Sequence, residues 1–226
     1  MNRHIVVRNI ERADQSIIDE LGQAGTATVH EAISRLGYVG PQIRAIQQGR
    51  KIAGSAVTVL SHPGDNIMIH AAIEVCQPGD ILVVTNTAPS THGMFGELLA
   101  TSLMARGVRG LVIDAGVRDT IDLRQMGFPV WSQHVSCQGT VKSTPGSVNV
   151  PVVLGGITVQ PGDVICADDD GVVVVERADA GSALDKTCRR LDSEAGTRAR
   201  LESGELGVDI YGLRTKLIEI GVEYID

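Results

Sequence analysis

The stretch that decides the fold runs Phe95-Gly-Glu-Leu-Leu-Ala-Thr-Ser-Leu-Met-Ala-Arg-Gly-Val-Arg-Gly-Leu-Val-Ile-Asp-Ala-Gly-Val-Arg-Asp-Thr-Ile-Asp-Leu-Arg-Gln125. Its apolar residues have helical spacing from Leu98 to Met104, and Gly107 predicts a left-handed residue that ends the helix. The short run Val108–Ile113 is rich in β-branched residues, which indicates a buried strand. The stretch therefore predicts a helix followed by a strand, as in an α/β sheet.

Two polar turns flank this predicted strand. We expect the chain to turn at residues 115–117, so that Arg118 and Asp119 open a second helix. Ligands of α/β sheets collect at strand ends and helix N-termini. At such a turn Asp119 suits a hard cation such as Mg²⁺, and Arg118 suits an oxyanion. The alternative is a surface arginine beside a carboxylate that only stabilises the helix dipole.

Composition limits the class of protein. The chain has 226 residues, of which 43% are hydrophobic and 3% aromatic, so we expect one domain with an aliphatic core. The formal charge of −7 argues against nucleic acid as a partner, because phosphate binding needs a basic face. A small anionic substrate stays compatible, since one local arginine can override the overall field.

The absence of three kinds of sequence signal predicts the localisation and disfavours a zinc site. The sequence has no apolar run long enough to cross a membrane, and residues 1–9 lack the core of a signal peptide. The four cysteines are far apart and form no CxxC pair, which argues against a zinc site or a disulfide framework. We therefore expect a cytoplasmic protein that does not bind membranes.

The segments around the central stretch also carry predictions. Residues 9–24 resemble an amphipathic helix, and Thr28 and Glu31 have the spacing of a capping box that would start a helix ending near Leu36. We interpret His30 in that helix as a structural histidine. Further strands are expected over residues 51–60, 81–85, 128–135, 152–159, 163–167 and 172–175.

The C-terminal part carries an acidic run and a charged helix. The run Asp168-Asp169-Asp170-Gly171 predicts a solvated hairpin turn, because a calcium loop would be longer and end in Glu. From Asp179 to about Ser203 the pattern predicts a long helix, followed by a short helix and a tail. We expect this arm, about residues 180–226, to pack on a neighbouring subunit or to dock on its own.

Several common chemistries lack their sequence signals. No GxGxxG, GxxxxGK[ST] or GxSxG motif is present, which disfavours nucleotide binding and a hydrolase elbow. Among the four lysines, only Lys142 lies in a loop near the middle of the chain. We expect it to face solvent rather than to form a Schiff base. Metal-assisted oxygen chemistry is what remains.

Five segments together resemble one family. They are Thr28-Val-His-Glu-Ala, Ala56-Val-Thr-Val-Leu with Pro63-Gly-Asp-Asn, Phe95-Gly-Glu-Leu-Leu-Ala, Ile113-Asp-Ala-Gly-Val-Arg-Asp, and Pro161-Gly-Asp-Val-Ile-Cys-Ala-Asp-Asp-Asp-Gly-Val. The chain resembles the class II 4-hydroxy-4-methyl-2-oxoglutarate / 4-carboxy-4-hydroxy-2-oxoadipate aldolases, in the superfamily of the regulator of ribonuclease E activity A. The resemblance implies an α/β/β/α sandwich like a phosphohistidine swivelling domain, with an N-terminal helix and a C-terminal helical arm, assembled as a homotrimer or homohexamer.

The resemblance also implies a reaction. These aldolases cleave the two hydroxy-oxo acids to pyruvate plus pyruvate or oxaloacetate, decarboxylate oxaloacetate, and serve the breakdown of protocatechuate and gallate. The alternative is a non-catalytic regulator that binds ribonuclease E, as the superfamily relative does. That relative resembles mainly the central core, whereas this chain also has the N-terminal helix and the C-terminal arm. A methyltransferase function lacks a glycine-rich cofactor loop after a first strand.

Site residues are implied in the same way. Asp119 would be the protein ligand of Mg²⁺ or Mn²⁺, Arg118 would contact the pyruvyl group, and the amides of Gly96, Glu97, Leu98 and Leu99 would bind its carboxylate. Glu97 would orient a water that takes the C4 hydroxyl proton, although the family often has Asp there. A glutamate from the neighbouring subunit, for which Glu194 is the candidate here, would support the waters around the metal.

Overall fold

The computed structural model describes residues 4–225. Its helices are α1 (Gln15–Ala24), α2 (Thr26–Ala32), α3 (Ile67–Ile73), α4 (Glu97–Ala105), α5 (Thr120–Gln125), α6 (Ala180–Glu202), α7 (Gly207–Ile210) and α8 (Leu213–Glu219). Its strands are β1 (Arg44–Ala45), β2 (Ile52–Ser61), β3 (Asp80–Asn86), β4 (Gly93–Phe95), β5 (Gly110–Val117), β6 (Val130–Val135), β7 (Ser147–Val148), β8 (Val152–Leu154), β9 (Ile157–Val159), β10 (Val164–Asp168) and β11 (Gly171–Val175).

Nine of these strands form one mixed sheet in the order β1-β6-β5-β3-β2-β10-β11, with β4 beside β5 and β7 beside β2. Strands β2, β3, β5 and β6 are parallel neighbours, and β4 also runs parallel to β5. Strands β10, β11, β1 and β7 pair antiparallel. Strands β8 and β9 form a separate hairpin. The predicted α/β fold class is confirmed.

The sheet is buried on both faces. Alternate residues of β3 pack into different apolar clusters, Leu82 and Val84 on one side and Ile81 and Val83 on the other. The only tryptophan, Trp131, is fully buried in the second cluster. Continuous Val/Ile/Leu runs are typical of parallel strands covered on both faces, which is why these strands could be recognised in the sequence.

Several local predictions were wrong, and the strand predicted over residues 152–159 is instead the hairpin of β8 and β9. Strand β5 continues to Val117, with an irregularity between Ile113 and Gly116, so residues 115–117 belong to the strand and not to a turn. Helix α2 begins at Thr26 after the N-cap Gly25, so Thr28 and Glu31 are not a capping box. The helix ends at Ala32, well before Leu36, because the left-handed residues Ser34 and Arg35 (φ 63° each) follow.

The acidic run forms a hairpin turn as predicted, with Asp168 paired opposite Gly171. The first carboxylate of the run also bonds within the protein, however. Asp168 accepts hydrogen bonds from the Thr26 amide (2.8 Å), the Thr26 hydroxyl (2.5 Å) and the Asp170 amide (3.0 Å). This carboxylate therefore joins the hairpin to the start of α2.

The chain divides into two compact units, one ending at Thr187 and one beginning at Cys188. The second unit contains the rest of α6 together with α7 and α8, and the two short helices contain no buried residue. The C-terminal arm is thus helical as predicted, while its packing on a neighbouring subunit and the single-domain organisation stay predictions. Across residues 4–225, no helix combines the length and hydropathy needed to span a bilayer.

Candidate active site

Two strand-to-helix turns meet at one point of the sheet. Strands β4 and β5 run parallel, with Gly93 paired to Gly116 and Phe95 paired to Val117. The Arg118 amide donates to the Phe95 carbonyl (2.8 Å). Because both strands end at the same edge, the turn into α4 and the turn into α5 lie side by side. The two turns that the sequence singled out are thus brought together.

Small residues allow this close approach. A Cβ atom built on Gly96 would overlap the Asp119 carboxylate. A Cβ atom on Gly116 would come within 2.7 Å of the carbonyl oxygens of Thr91 and His92. A side chain at Gly96 would force the two turns apart, and one at Gly116 would displace the segment that leads into β4.

Asp119 is the central carboxylate of the site. Its backbone is left-handed (φ 54°) although it is not glycine, a conformation that Asp tolerates at some cost. Its Oδ2 accepts a long hydrogen bond from the Glu97 amide (3.2 Å) and lies 3.6 Å from the Arg118 Nε. The Asp119 side chain is 40% exposed. The carboxylate is therefore held in place but keeps oxygen lone pairs open to a ligand.

The start of α4 supplies the other predicted groups. The amides of a first helical turn lack partners inside the helix, and here the Glu97 amide is directed at Asp119. The Glu97 carboxylate accepts a hydrogen bond from the Thr101 hydroxyl (2.8 Å). The Leu98 side chain is 79% exposed, whereas Leu99 is buried. Leu98 is thus positioned to shield a ligand rather than to fill the core.

A cavity of about 190 Å³ lies beside this pair of turns. Arg118, Asp119, Gly96, Leu98 and Leu99 line it, together with groups that the sequence analysis did not assign to the site, namely Asn66, His70, Met94 and Lys142. Lys142 is exposed, as predicted, and at the same time lines the cavity. Asn66 follows the turn after β2. Strands β2, β3 and β5 are parallel neighbours, so their carboxyl ends lie at the same edge of the sheet. That shared edge was the one signal from which Asn66 could have been predicted to lie near the site.

The donor set fits a hard divalent cation held by few protein ligands. Within residues 4–225 no three His, Cys, Asp or Glu side chains gather as a metal cluster, which disfavours a closed structural site. Mg²⁺ needs only one or two carboxylates, because it keeps several waters. The Asp119 carboxylate is partly exposed, and the absence of a side chain at Gly96 leaves room beside it. Asp119 therefore meets that requirement.

Glu97 does not line this cavity and instead lines, with Leu98 and Asp119, an adjoining open depression. Two further residues of the first unit, His30 and Asp114, do not line the cavity either. Burial raises the pKa of Asp114 in β5, and the nearby His134 opposes that effect. His30 packs against Tyr38, with ring centroids 5.8 Å apart, which agrees with its interpretation as a structural histidine. Glu194 lies in the second unit and forms an ion pair with Arg190 (2.8 Å), so its role at a neighbouring site stays a prediction.

A family model and several known proteins resemble this chain. A model of the family described as RraA-like (Aldolase/RraA) matches residues 26–174. A protein of Halalkalibacterium halodurans named "Putative 4-hydroxy-4-methyl-2-oxoglutarate aldolase" is 27% identical over 191 residues, covering 84% of this chain and 91% of that protein. A protein of the same name from Shewanella oneidensis is 30% identical over 145 residues, covering 64% of this chain and 88% of that protein.

A solved structure gives the same picture of the fold. Streptomyces coelicolor RraAS2, described as an unusual member of the RNase ES inhibitor RraA protein family, superposes with a TM-score of 0.74 at 31% identity. The match covers 84% of this chain and all of that one. The predicted sandwich fold and the predicted family are confirmed.

Proposed function

Because the chain belongs to the RraA-like (Aldolase/RraA) family, we propose that it is a divalent-metal-dependent carbon–carbon lyase. Its substrates are 4-hydroxy-4-methyl-2-oxoglutarate, 4-carboxy-4-hydroxy-2-oxoadipate or both, and its products are pyruvate plus pyruvate or oxaloacetate. Oxaloacetate decarboxylation is a side activity, and the pathway served is the breakdown of aromatic acids such as protocatechuate and gallate. One observation carries the proposal: Arg118 and an incompletely bonded Asp119 lie beside the first turn of α4 at one cavity.

Each group has one task in this proposal. Mg²⁺ or Mn²⁺ at Asp119 supplies, when bound, Lewis-acid polarisation of the substrate's 2-oxo group. The first-turn amides of α4 bind the C1 carboxylate, as helix N-termini bind anions. The Arg118 guanidinium stabilises the negative charge that develops on the C2 oxygen.

The bond changes are those of a retro-aldol reaction. A water oriented by Glu97 takes the proton of the C4 hydroxyl, and the C4–O bond becomes a carbonyl as the C3–C4 bond breaks. The bonding electrons pass into an enolate across C3, C2 and the C2 oxygen. Return of the proton from that water to C3 then gives pyruvate. The hydrogen bond from the Thr101 hydroxyl restrains one oxygen of the Glu97 carboxylate, which supports this role.

Assembly belongs to the same proposal. The second unit exposes several large apolar residues, including Leu206, Tyr211, Ile218 and Tyr224. A homotrimer or homohexamer in which this arm packs on an adjacent copy accounts for that exposure. Glu194 of the adjacent copy is then the candidate that supports the waters of the metal site.

The deciding assay is pyruvate release from 4-hydroxy-4-methyl-2-oxoglutarate by the chelated and the Mg²⁺- or Mn²⁺-loaded protein. We expect activity only in the loaded protein. Activity that survives complete chelation would contradict the metal requirement. No activity with either metal would favour the second candidate, a ribonuclease-binding regulator, which the 31% identity to Streptomyces coelicolor RraAS2 supports.

A further inference from the structure

The cavity is lined by two cations that come from different segments. Arg118 comes from the turn between β5 and α5, and Lys142 comes from the segment between β6 and β7. His70 on α3 lines the same cavity, and its pKa is lowered by burial and by the nearby Lys142 charge. Protonated His70 is therefore disfavoured, and Lys142 is the lysine or arginine on that wall. The mechanism above gives Lys142 no task.

The backbone on both sides of Lys142 is anchored. The Val141 amide donates to the Gly64 carbonyl (3.0 Å), and the Asn66 amide donates to the Val141 carbonyl (3.1 Å). On the other side, the Asp65 carboxylate accepts hydrogen bonds from the Ser143 amide (2.8 Å) and the Thr144 amide (2.6 Å). Because both flanks of Lys142 are tied to residues 64–66, its backbone is held beside the cavity, and only its side chain has to be ordered on binding.

A buried carboxylate makes this anchor firm. Asp65 is 1% exposed and accepts a third hydrogen bond, from the Ile67 amide (2.9 Å). Burial alone would raise its pKa, but the backbone hydrogen bonds outweigh burial and the pKa lies below the ordinary value. The carboxylate stays ionised and keeps the segment that carries Lys142 against the start of α3.

We propose that Lys142 is the specificity-determining residue that pairs with the second carboxylate of the substrate. The inference rests on the proposed function, in which Arg118 and α4 bind the 2-oxo acid end. Both candidate substrates carry a carboxylate on C4, and a protein with a net charge of −7 needs a local cation to attract it. A lysine is a point charge with three rotatable donors, so it can pair with this C4 carboxylate in either substrate.

The alternative for Lys142 is a solvated lysine without a ligand. A matched pair of ligands separates the two cases. 2-Oxoglutarate and 2-oxopentanoate share a five-carbon 2-oxo acid skeleton and differ only in a terminal carboxylate or methyl group. If Lys142 binds the second carboxylate, the protein should prefer 2-oxoglutarate, and this preference should depend on residue 142. If Lys142 is only solvated, residue 142 should not affect the relative affinity for the two ligands.

The experiment is calorimetric titration of both ligands, with Mg²⁺ and at low salt, into wild type, Lys142→Gln, Lys142→Arg and the control Lys186→Gln. The control removes the same charge from an exposed lysine of the same unit that lines a different cavity. We expect wild type to prefer 2-oxoglutarate and Lys142→Gln to lose about tenfold of that preference, as for one charge-assisted hydrogen bond. Lys142→Arg and Lys186→Gln should keep it.

The inference is overturned if wild type shows no preference or if Lys142→Gln keeps it in full. A loss in Lys186→Gln equal to that in Lys142→Gln would also overturn it, because net charge would then explain the result. Failure of the proposed function has a different signature. In that case the preference and its dependence on Lys142 persist, while no pyruvate is released from either hydroxy-oxo acid.

Discussion

Two aspartates, one after β2 and one after β5, have opposite environments. Asp65 is 1% exposed and accepts three backbone hydrogen bonds of 2.9 Å or less. Asp119 is 40% exposed and accepts one long hydrogen bond from an amide, with Arg118 at 3.6 Å. Both carboxylates are fixed by the fold, but only one has oxygen atoms left for a ligand.

The difference separates a structural carboxylate from one that is available for chemistry. A carboxylate that receives several amide hydrogen bonds has little capacity left for a cation. Asp119 is instead held in a strained left-handed conformation by the surrounding turns, and strain of this kind persists at sites where it serves function. Asp65 therefore anchors the segment that carries Lys142, and Asp119 is the carboxylate that we propose as the metal ligand.

The largest expected effect on the Asp119 side is that of Arg118→Ala. Removal of the guanidinium takes away one of the two positive groups proposed to stabilise the developing enolate, so kcat for 4-hydroxy-4-methyl-2-oxoglutarate should fall by about 10²–10³-fold, as for other oxyanion contacts. Steady-state pyruvate release measures this. Arg177→Ala is the matched control, because Arg177 forms an exposed ion pair with Glu11. A loss in Arg118→Ala no larger than in the control would make Arg118 a surface residue.

A smaller effect is expected from substitution of Asp65, and it concerns the free energy of unfolding. Asp65→Asn removes the charge that three amides stabilise, so the free energy of unfolding at pH 7 should fall by about 2 kcal/mol. The folded pKa of Asp65 is lowered from 3.8. Its ionised form therefore stabilises the fold above that pH, and the stabilisation is lost as the pH falls through the folded pKa.

Urea denaturation of wild type and Asp65→Asn at pH 7 and pH 3 checks both the size and the sign. The difference between the two proteins should be largest at pH 7 and smaller at pH 3. An equal difference at both pH values would mean that the charge of Asp65 does not stabilise the fold. The distinction between the two aspartates would then lose its electrostatic basis.

The sequence was sufficient for the elements that depend on local pattern. The apolar run of β3, the helix α4 and the left-handed Gly107 (φ 74°) were predicted and confirmed, because the signals lie in adjacent residues. Strand β5 was predicted too short. Its last residues pair with β4 and β6. Such pairing with other strands cannot be predicted from the apolar run Val108–Ile113 alone.

The site could be predicted only in part for the same reason. Arg118, Asp119 and the start of α4 belong to one stretch, so their polar residues stood out at two turns. Lys142 reaches the cavity through a bridge between Asp65 and Val141, residues that are far apart in sequence. The capping-box prediction at Thr28 was wrong because Asp168, from a distant hairpin, caps the helix at Thr26 instead.

The assignment of the metal to Asp119 is tested most directly by Mn²⁺ binding, followed through the electron paramagnetic resonance signal of free Mn²⁺. Wild type and Asp168→Asn, in which the altered carboxylate caps a helix, should bind Mn²⁺ alike. Asp119→Asn should bind it on the order of 100-fold more weakly, since even outer partners of a metal site are worth about 10–100-fold. Equal binding by Asp119→Asn and wild type would contradict the account.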